Sequence, residues 1–183
     1  MNILKFEFKK LSIQDVVLIT PKLFEDERGF FMETYSSKEF VDSGIKNLFI
    51  QDNHSKSIKG VLRGMHFQKG EAAQAKLVRC VHGEIFDVAV DTRKHSPTFG
   101  KWVSAVLSEN NKQMLFIPRG FAHGFYVMSN VAEVEYKVDN IYSQKDEGGL
   151  IWNDPIVKIK WPFKGEPILS EKDKTWSNLK SLD

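Results

Sequence analysis

Cysteines and long apolar segments are scarce in this sequence. Cys80 is the only cysteine among 183 residues, which excludes an intrachain disulfide and a zinc site built from several cysteines. The nearby Val78 and Val81 predict a buried, inert thiol. No apolar run approaches the roughly 18 residues of a membrane-spanning helix, and the segment from Met1 to Lys10 lacks the apolar core of a signal peptide. We therefore expect a cytoplasmic protein without a membrane partner.

The sequence also lacks a large excess of either positive or negative charge. The chain has 26 Lys and Arg against 24 Asp and Glu, a net charge of +2, which gives no reason to expect a nucleic-acid partner. The sequence contains no Gly-x-Gly-x-x-Gly or Walker motif and no Gly-x-Ser-x-Gly motif. Nucleotide binding by a glycine-rich loop and hydrolysis at a nucleophile elbow are therefore disfavoured. Basic residues that bind a ligand must act locally.

Short β-strands separated by turn residues make up most of the chain. One short helix is predicted over residues 36–44, where Ser36 or Ser37 can cap its start and Gly44 can end it. The predicted strands cover residues 16–20, 30–35, 48–55, 60–68, 75–81, 84–91, 102–107, 114–117, 121–128 and 131–138. This spacing is typical of an all-β sandwich or barrel. No linker interrupts it, so we expect a single domain over residues 1–183, with the polar segment after Pro162 on the outside.

Several strand faces carry polar residues where apolar ones are expected. His66, Lys76 and Tyr136 each share a face with apolar or small residues, and so do Gln51 and Asn53. A single residue of this kind usually satisfies a local hydrogen bond, and that is the default interpretation of His66. Several on separate strands instead predict a polar ligand cavity inside the barrel.

The stretch from Gly60 to Gln68 carries both an arginine and a histidine. Strand alternation places His66 on one face, next to Gly64, and Arg63 on the other face. We therefore expect Arg63 to be kept from the wall that His66 lines, and to reach a ligand only near the cavity mouth.

The segment from Pro118 to His123 has the Pro-x-Gly-x-x-His form found in cupins. Metal-binding cupins also have a His-x-His pair on an earlier strand, but here the corresponding residues are His66-Phe67-Gln68. A typical catalytic metal needs three converging ligands. A cupin barrel without a metal is the better interpretation.

Eight sequence blocks stand in an order and spacing that are more specific than any single block. The blocks are residues 26–31 with Glu33, 51–55, 60–68, 76–79, 83–91, 117–125, 152–155 and 169–173. Together they resemble the dTDP-4-dehydrorhamnose 3,5-epimerase family, and the resemblance extends from about Val16 to Trp176. It implies an all-β double-stranded β-helix (a cupin jelly roll) with a few short peripheral helices, and a homodimer that shares strands across its interface.

The resemblance also implies roles for individual residues. His66 matches the general base, Asp173 the carboxylate that orients its ring, and Tyr136 the acid on the opposite face of the sugar. Lys76 matches a residue beside the C4 carbonyl, where its charge can stabilise an enolate. Tyr142 matches an aromatic residue that stacks on thymine, although Ile141 precedes it where many relatives have a second aromatic. Positions that hold the sugar and the diphosphate are matched by Arg28, Glu33, Gln51, Asn53, Arg63, Lys76, His123, Glu147 and Lys172.

The implied reaction inverts C3 and C5 of dTDP-4-dehydro-6-deoxy-D-glucose, a step of dTDP-L-rhamnose synthesis. Both carbons flank a ketone, so their deprotonation gives an enolate, and a histidine base is suited to it near neutral pH. The resemblance implies no cofactor and no metal. Two alternatives stay open: an epimerase that inverts only C3 of a related nucleotide 4-keto sugar, and a non-catalytic cupin that binds a nucleotide sugar.

Overall fold

The computed structural model describes residues 5–182. Residues 1–4, part of the N-terminal segment considered above for a signal peptide, and Asp183 lie outside this range. The strands are β1 Phe6–Lys10, β2 Val17–Pro21, β3 Phe24–Asp26, β4 Gly29–Phe31, β5 Gln51–Ile58, β6 Leu62–Gln68, β7 Lys76–His82, β8 Glu84–Asp91, β9 Trp102–Ser108, β10 Met114–Ile117, β11 Phe121–Val127, β12 Val131–Val138 and β13 Glu147–Gly149. The helices are α1 Ser37–Asp42 and the short 3-10 helices Gly70–Ala72, Gln144–Asp146 and Leu179–Ser181.

Two antiparallel sheets form the body of the fold. The six-stranded sheet has the order β1-β2-β10-β7-β12-β5, and the five-stranded sheet has the order β13-β6-β11-β8-β9. Strands that are distant in sequence lie side by side, as in a jelly roll. The predicted all-β jelly roll with a few short helices is confirmed. Within residues 5–182 no helix is long and apolar enough to cross a bilayer.

The strand predicted over residues 30–35 is wrong in its extent. The chain there forms the hairpin β3–β4, and residues 32–35 are not in a strand. The side chain of Asp26 accepts the backbone N–H of Arg28 at 2.9 Å, and Gly29 has a φ of 123°, so a tight turn interrupts the segment. The strand predicted over 48–55 is shifted as well, since β5 runs from Gln51 to Ile58.

The main hydrophobic core lies between the two sheets. Val78 and Cys80 of β7 and Val134 of β12 contribute to it, and the same inward faces continue into Lys76 and Tyr136. A polar cavity is therefore an extension of the apolar core along the same strands. The thiol of Cys80 is buried as predicted, and burial raises its pKa to about 12.

The outer faces of both sheets are covered by other parts of the chain. Phe40 of α1 packs on the six-stranded sheet with a cluster of aromatic and aliphatic side chains. Val157, Leu179 and Leu182, from the segment after β13, cover the five-stranded sheet. This C-terminal segment wraps the outside as predicted, and it also carries Asp173 to the cavity.

Candidate active site

A cavity between the sheets collects most of the predicted site residues. It consists of two adjoining hollows of about 610 and 240 Å³, which share His66, Lys76, Tyr136 and Glu147 in their walls. The larger hollow is also lined by the predicted residues Arg63, His123, Lys172 and Asp173, and the smaller one by Gln51, Asn53 and Tyr142. The predicted polar cavity is therefore present, and polar residues from both sheets converge in it.

His66 and Asp173 form a hydrogen-bonded pair. Nε2 of His66 lies 2.5 Å from Oδ1 of Asp173, whose side chain is almost fully buried. Since an ionised carboxylate only accepts hydrogen bonds, Nε2 carries the proton of this bond, and Nδ1 is the nitrogen that has a free lone pair in the neutral form of the ring. Burial by itself raises the pKa of Asp173, but the hydrogen bond and charge of His66, helped by Trp176 and Ser170, outweigh it and hold this pKa below its usual value. Asp173 is thus a stable anion that orients the imidazole of His66.

Pairing between strands fixes the position of His66. On β6 it lies opposite His123 of β11 on one side and Gly149 of β13 on the other. Asp173 comes from a turn of the C-terminal segment, where its backbone N–H donates to Oγ of Ser170 at 3.2 Å. The imidazole is therefore attached to the sheet, and its carboxylate partner to the covering segment.

Lys76 is a buried cation next to this pair. Its Nζ donates to the backbone oxygen of His66 over 3.3 Å. Burial lowers the pKa of Lys76 to about 8, against the charges of Asp87 and Glu147, which raise it. The ammonium form still predominates at neutral pH, so the cavity contains a positive charge with little access to water.

Tyr136 faces the His66–Asp173 pair from the other sheet. It lies on β12 of the six-stranded sheet, whereas His66 lies on β6 of the five-stranded sheet, and both side chains line both hollows. Burial raises the pKa of Tyr136, and the charge of Arg63 opposes this in part. The phenol therefore keeps its proton at neutral pH and can donate it.

A second histidine–carboxylate pair lies beside the first. Nε2 of His123 donates to Oδ1 of Asp87 over 2.7 Å, and Asp87 is fully buried on β8. Burial lowers the pKa of His123 more than Asp87 raises it, so the ring is neutral. Asp87 was not among the predicted site residues. The sequence pattern that could have indicated it is a carboxylate that shares a strand face with the apolar residues Ile85 and Ala89, both of which are in the core.

Three further predicted residues form a hydrogen-bonded group where the two hollows adjoin. Glu147 accepts from Tyr142 Oη at 3.0 Å and from Lys172 Nζ at 2.6 Å. Gln68, at the position where metal-binding cupins have a second histidine, instead accepts the backbone N–H of Ser143 at 2.8 Å. This bond holds the loop that carries Tyr142 against β6.

The predicted separation of Arg63 from His66 is wrong. Both side chains line the larger hollow. His66 pairs with His123 and Arg63 with Phe125, so the single residue Gly124 lies opposite both Gly64 and Met65. The extra residue on β6 makes a β-bulge, which interrupts the strict alternation of side-chain faces along that strand. The guanidinium is held by Oγ of Ser57, at 2.9 Å from Nε.

Two predicted binding residues lie outside the cavity of their own chain. Arg28 is paired with Asp26 at 2.5 Å on the exposed hairpin β3–β4, and Glu33 is paired with Lys5. Their positions do not bring them to His66. Across residues 5–182, no group of three or more His, Cys, Asp or Glu side chains is arranged to hold a metal ion.

Comparison with known proteins finds relatives over nearly the whole chain. A sequence model of the dTDP-4-dehydrorhamnose 3,5-epimerase family matches residues 10–181. The dTDP-4-dehydrorhamnose 3,5-epimerase of Salmonella typhimurium is 58% identical over 90% of this chain and 90% of its own length. That of Escherichia coli K12 is 50% identical over 100% of this chain and 96% of its own. A crystal structure of dTDP-6-deoxy-D-glucose-3,5-epimerase from Legionella pneumophila, in complex with dTDP-4-keto-L-rhamnose, superposes with a TM-score of 0.94 at 44% identity, covering 97% of this chain and 95% of that one. The chain belongs to the dTDP-4-dehydrorhamnose 3,5-epimerase family.

Proposed function

We propose that this chain epimerises C3 and C5 of dTDP-4-dehydro-6-deoxy-D-glucose, giving dTDP-4-dehydro-L-rhamnose for dTDP-L-rhamnose synthesis. The observation that carries the proposal is the opposition of His66 and Tyr136 across one cavity that also contains the buried cation Lys76. A base and an acid on opposite sheets can reach opposite faces of a sugar ring between them. The Legionella relative, bound to dTDP-4-keto-L-rhamnose, supports the class of substrate.

His66 is the base in the proposed mechanism. Its Nδ1 removes the proton from a carbon next to the C4 ketone, and the electron pair moves onto the C4 oxygen as an enolate. The carboxylate of Asp173 stabilises the imidazolium that forms, since it accepts the Nε2–H bond. The ammonium of Lys76 stabilises the enolate oxygen in a site where burial strengthens the interaction.

Tyr136 completes the inversion. Its hydroxyl returns a proton to the same carbon from the opposite face. Solvent then takes the proton from His66 and reprotonates Tyr136, and the steps are repeated at the second carbon. Protons are removed and returned with no net change of oxidation state, so the reaction requires no redox cofactor. A binding protein would need no acid and base on opposed walls, and for this reason we favour catalysis over the non-catalytic alternative.

The remaining residues bind the nucleotide in this proposal. Arg63 and Lys172 line the larger hollow, and their charges suit a diphosphate. Tyr142 stacks on the thymine, while Gln51 and Asn53, whose side chains hydrogen-bond at 2.9 Å, contact the sugar or phosphates from β5. His123, held by Asp87, and Glu147 orient the sugar from the other sheet.

We also propose that the chain is one domain and acts as a homodimer with exchanged strands. The hairpin β3–β4 exposes Phe30 and Phe31, whose side chains are 51% and 66% exposed, and it carries Arg28 away from the cavity of its own chain. Covering these aromatic rings with a second subunit would bury apolar surface. It would also explain how Arg28 and Glu33 reach a site, namely that of the partner.

Incubation of the 4-keto sugar nucleotide with the enzyme in deuterated water tests the function. We expect deuterium at both C3 and C5, and no deuterium with His66→Asn, although that variant should still bind dTDP. Label at C3 alone would favour the mono-epimerase alternative. Absence of label at both carbons with the unmodified chain would refute the proposed reaction.

A further inference from the structure

An indole lies against the proposed base and its carboxylate. Nε1 of Trp176 donates to Oδ1 of Asp173 over 3.1 Å, and the same oxygen accepts from Nε2 of His66 at 2.5 Å. The indole and imidazole rings meet edge to face, with centroids 5.9 Å apart and planes at 69°. One carboxylate oxygen thus receives two donors, and their rings also touch each other.

The place of the indole is created by a missing side chain. Gly149 pairs with His66 on the neighbouring strand β13, and a Cβ there would lie 2.0 Å from Cδ2 of Trp176. The indole therefore occupies the space into which the side chain of any other residue at position 149 would extend. The segment around it is fixed, since the backbone N–H of Ile151 donates to the oxygen of Ser177 at 3.0 Å.

We propose that Trp176 is a positioning residue, which holds the Asp173 carboxylate and the His66 ring in the geometry needed for proton removal. This inference rests on the proposed function, because His66 acts as a base only if the chain catalyses such a reaction. Two donors at a fixed angle prevent the carboxylate from rotating about its Cβ–Cγ bond, and the edge contact prevents the imidazole from tilting. The indole adds no charge, so it orients the pair without competing as a proton acceptor.

The hydrogen bond also helps to keep Asp173 ionised. Burial raises the pKa of Asp173, and the donors His66, Trp176 and Ser170 together lower it below its usual value. Loss of one donor weakens this stabilisation of the anion.

Trp176→Phe is the informative substitution, because it removes the N–H donor and keeps an aromatic ring, although a smaller one. The ring also lies near Lys172, whose Nζ is 5.7 Å from the indole centroid, so alanine would disturb substrate binding as well. For the phenylalanine variant we expect kcat to fall roughly five- to tenfold, in keeping with the net contribution of one typical hydrogen bond, while KM stays within about twofold. The His66 Nε2–H signal in NMR spectra of the full chain should shift and broaden.

Trp161→Phe is the matched control. Nε1 of Trp161 donates to the backbone oxygen of Trp152 at 2.9 Å, on the outer side of the fold, so this variant loses an equivalent indole bond without touching the site. It should keep kcat, KM and the His66 signal of the unmodified chain. Gly149→Ala is the second test, since its Cβ displaces the indole. It should lower kcat as Trp176→Phe does and alter the same NMR signal.

An unchanged kcat and an unchanged His66 signal in Trp176→Phe would overturn the inference, as would a loss expressed only in KM. The NMR measurement needs no turnover. If the unmodified chain incorporated no deuterium, the proposed function would fail, while the effect of Trp176 on the His66–Asp173 geometry would still be decided by the spectra.

Discussion

Lys76 is the residue whose ionisation should limit activity at alkaline pH. Burial lowers its pKa to about 8, whereas burial raises the pKa of Tyr136 above its ordinary value near 10. The enolate needs the ammonium form, and this form is lost as the pH rises through the folded pKa. We therefore expect kcat/KM to decline above a pH of about 8, measured between roughly pH 6 and 10.

The Lys76→Arg variant distinguishes the ionisation of Lys76 from that of other groups in the protein. A guanidinium does not titrate in this range, so whatever activity the variant retains should show no decline near pH 8. A flat pH profile of kcat/KM for the unmodified enzyme up to pH 10 would contradict the role of Lys76.

The stability of the fold depends on the ionisation of Lys76 in the opposite direction. Between about pH 8 and 10.5 the unfolded chain binds more protons at this group than the folded chain does, so the contribution of Lys76 to the free energy of unfolding increases with pH.

Most individual site residues could be predicted from the sequence, for two different reasons. His66, Lys76 and Tyr136 stood out because they are polar on faces that are otherwise apolar. Asp173 was found only by resemblance, since it lies in an irregular segment where no periodicity points to its burial. Trp176 was not among the predicted site residues, because a hydrogen bond from an indole to a particular carboxylate depends on tertiary structure.

The bulge in β6 is the element on which the arrangement of the site depends. Gly64 has a φ of 134°, and a Cβ there would lie 2.5 Å from Cα of Gly124. Gly64→Ala should therefore destabilise the fold by about 2 to 4 kcal/mol in chemical denaturation and lower activity, since it moves Arg63 relative to His66.

Gly44→Ala is the control for that substitution. Gly44 also has a positive φ, 98°, but a Cβ there would meet nothing within 4 Å. It should show only the backbone penalty of about 1 kcal/mol. Equal destabilisation by the two alanines would mean that the close approach of β6 and β11 is not the cause.

Elements were predicted well where local pattern decides and poorly where it does not. On β7 and β12, alternation correctly put Lys76 and Tyr136 on the same faces as apolar residues. The bulge was missed because alternation was applied through Gly64, although a glycine inside a strand pattern is itself a signal for a bulge. The early hairpin was missed because Asp26 closes the turn with its side chain.

On the scale of the whole molecule, the proposed dimer predicts complementation between inactive chains. In a mixed dimer of Arg28→Ala and His66→Asn, one site would combine an intact His66 with the partner's intact hairpin. The other site would lack both groups. Mixing and reassociating the two variants should therefore restore roughly a quarter of the activity, because about half of the dimers are mixed and each has one intact site.

Each variant alone provides the control, and each should remain far less active than the mixture. No gain on mixing, with dimers demonstrated by sedimentation, would mean that Arg28 serves its own chain. The sequence could not decide this, because residue spacing does not state which copy of a chain supplies a side chain.

Because the apolar core continues into the cavity along β7, the charge of Lys76 affects the thermal stability of the fold. The lowered pKa of Lys76 means that its charge is less stable in the fold than in water, even with Asp87 and Glu147 nearby. Lys76→Met should therefore raise the free energy of unfolding by about 1 to 3 kcal/mol, and the melting temperature with it. The same substitution should abolish epimerisation. An unchanged or lower melting temperature would show that the neighbouring carboxylates need the cation. If the prediction holds, selection for thermostability alone would extend the apolar core into the site, and only selection for turnover would retain the lysine.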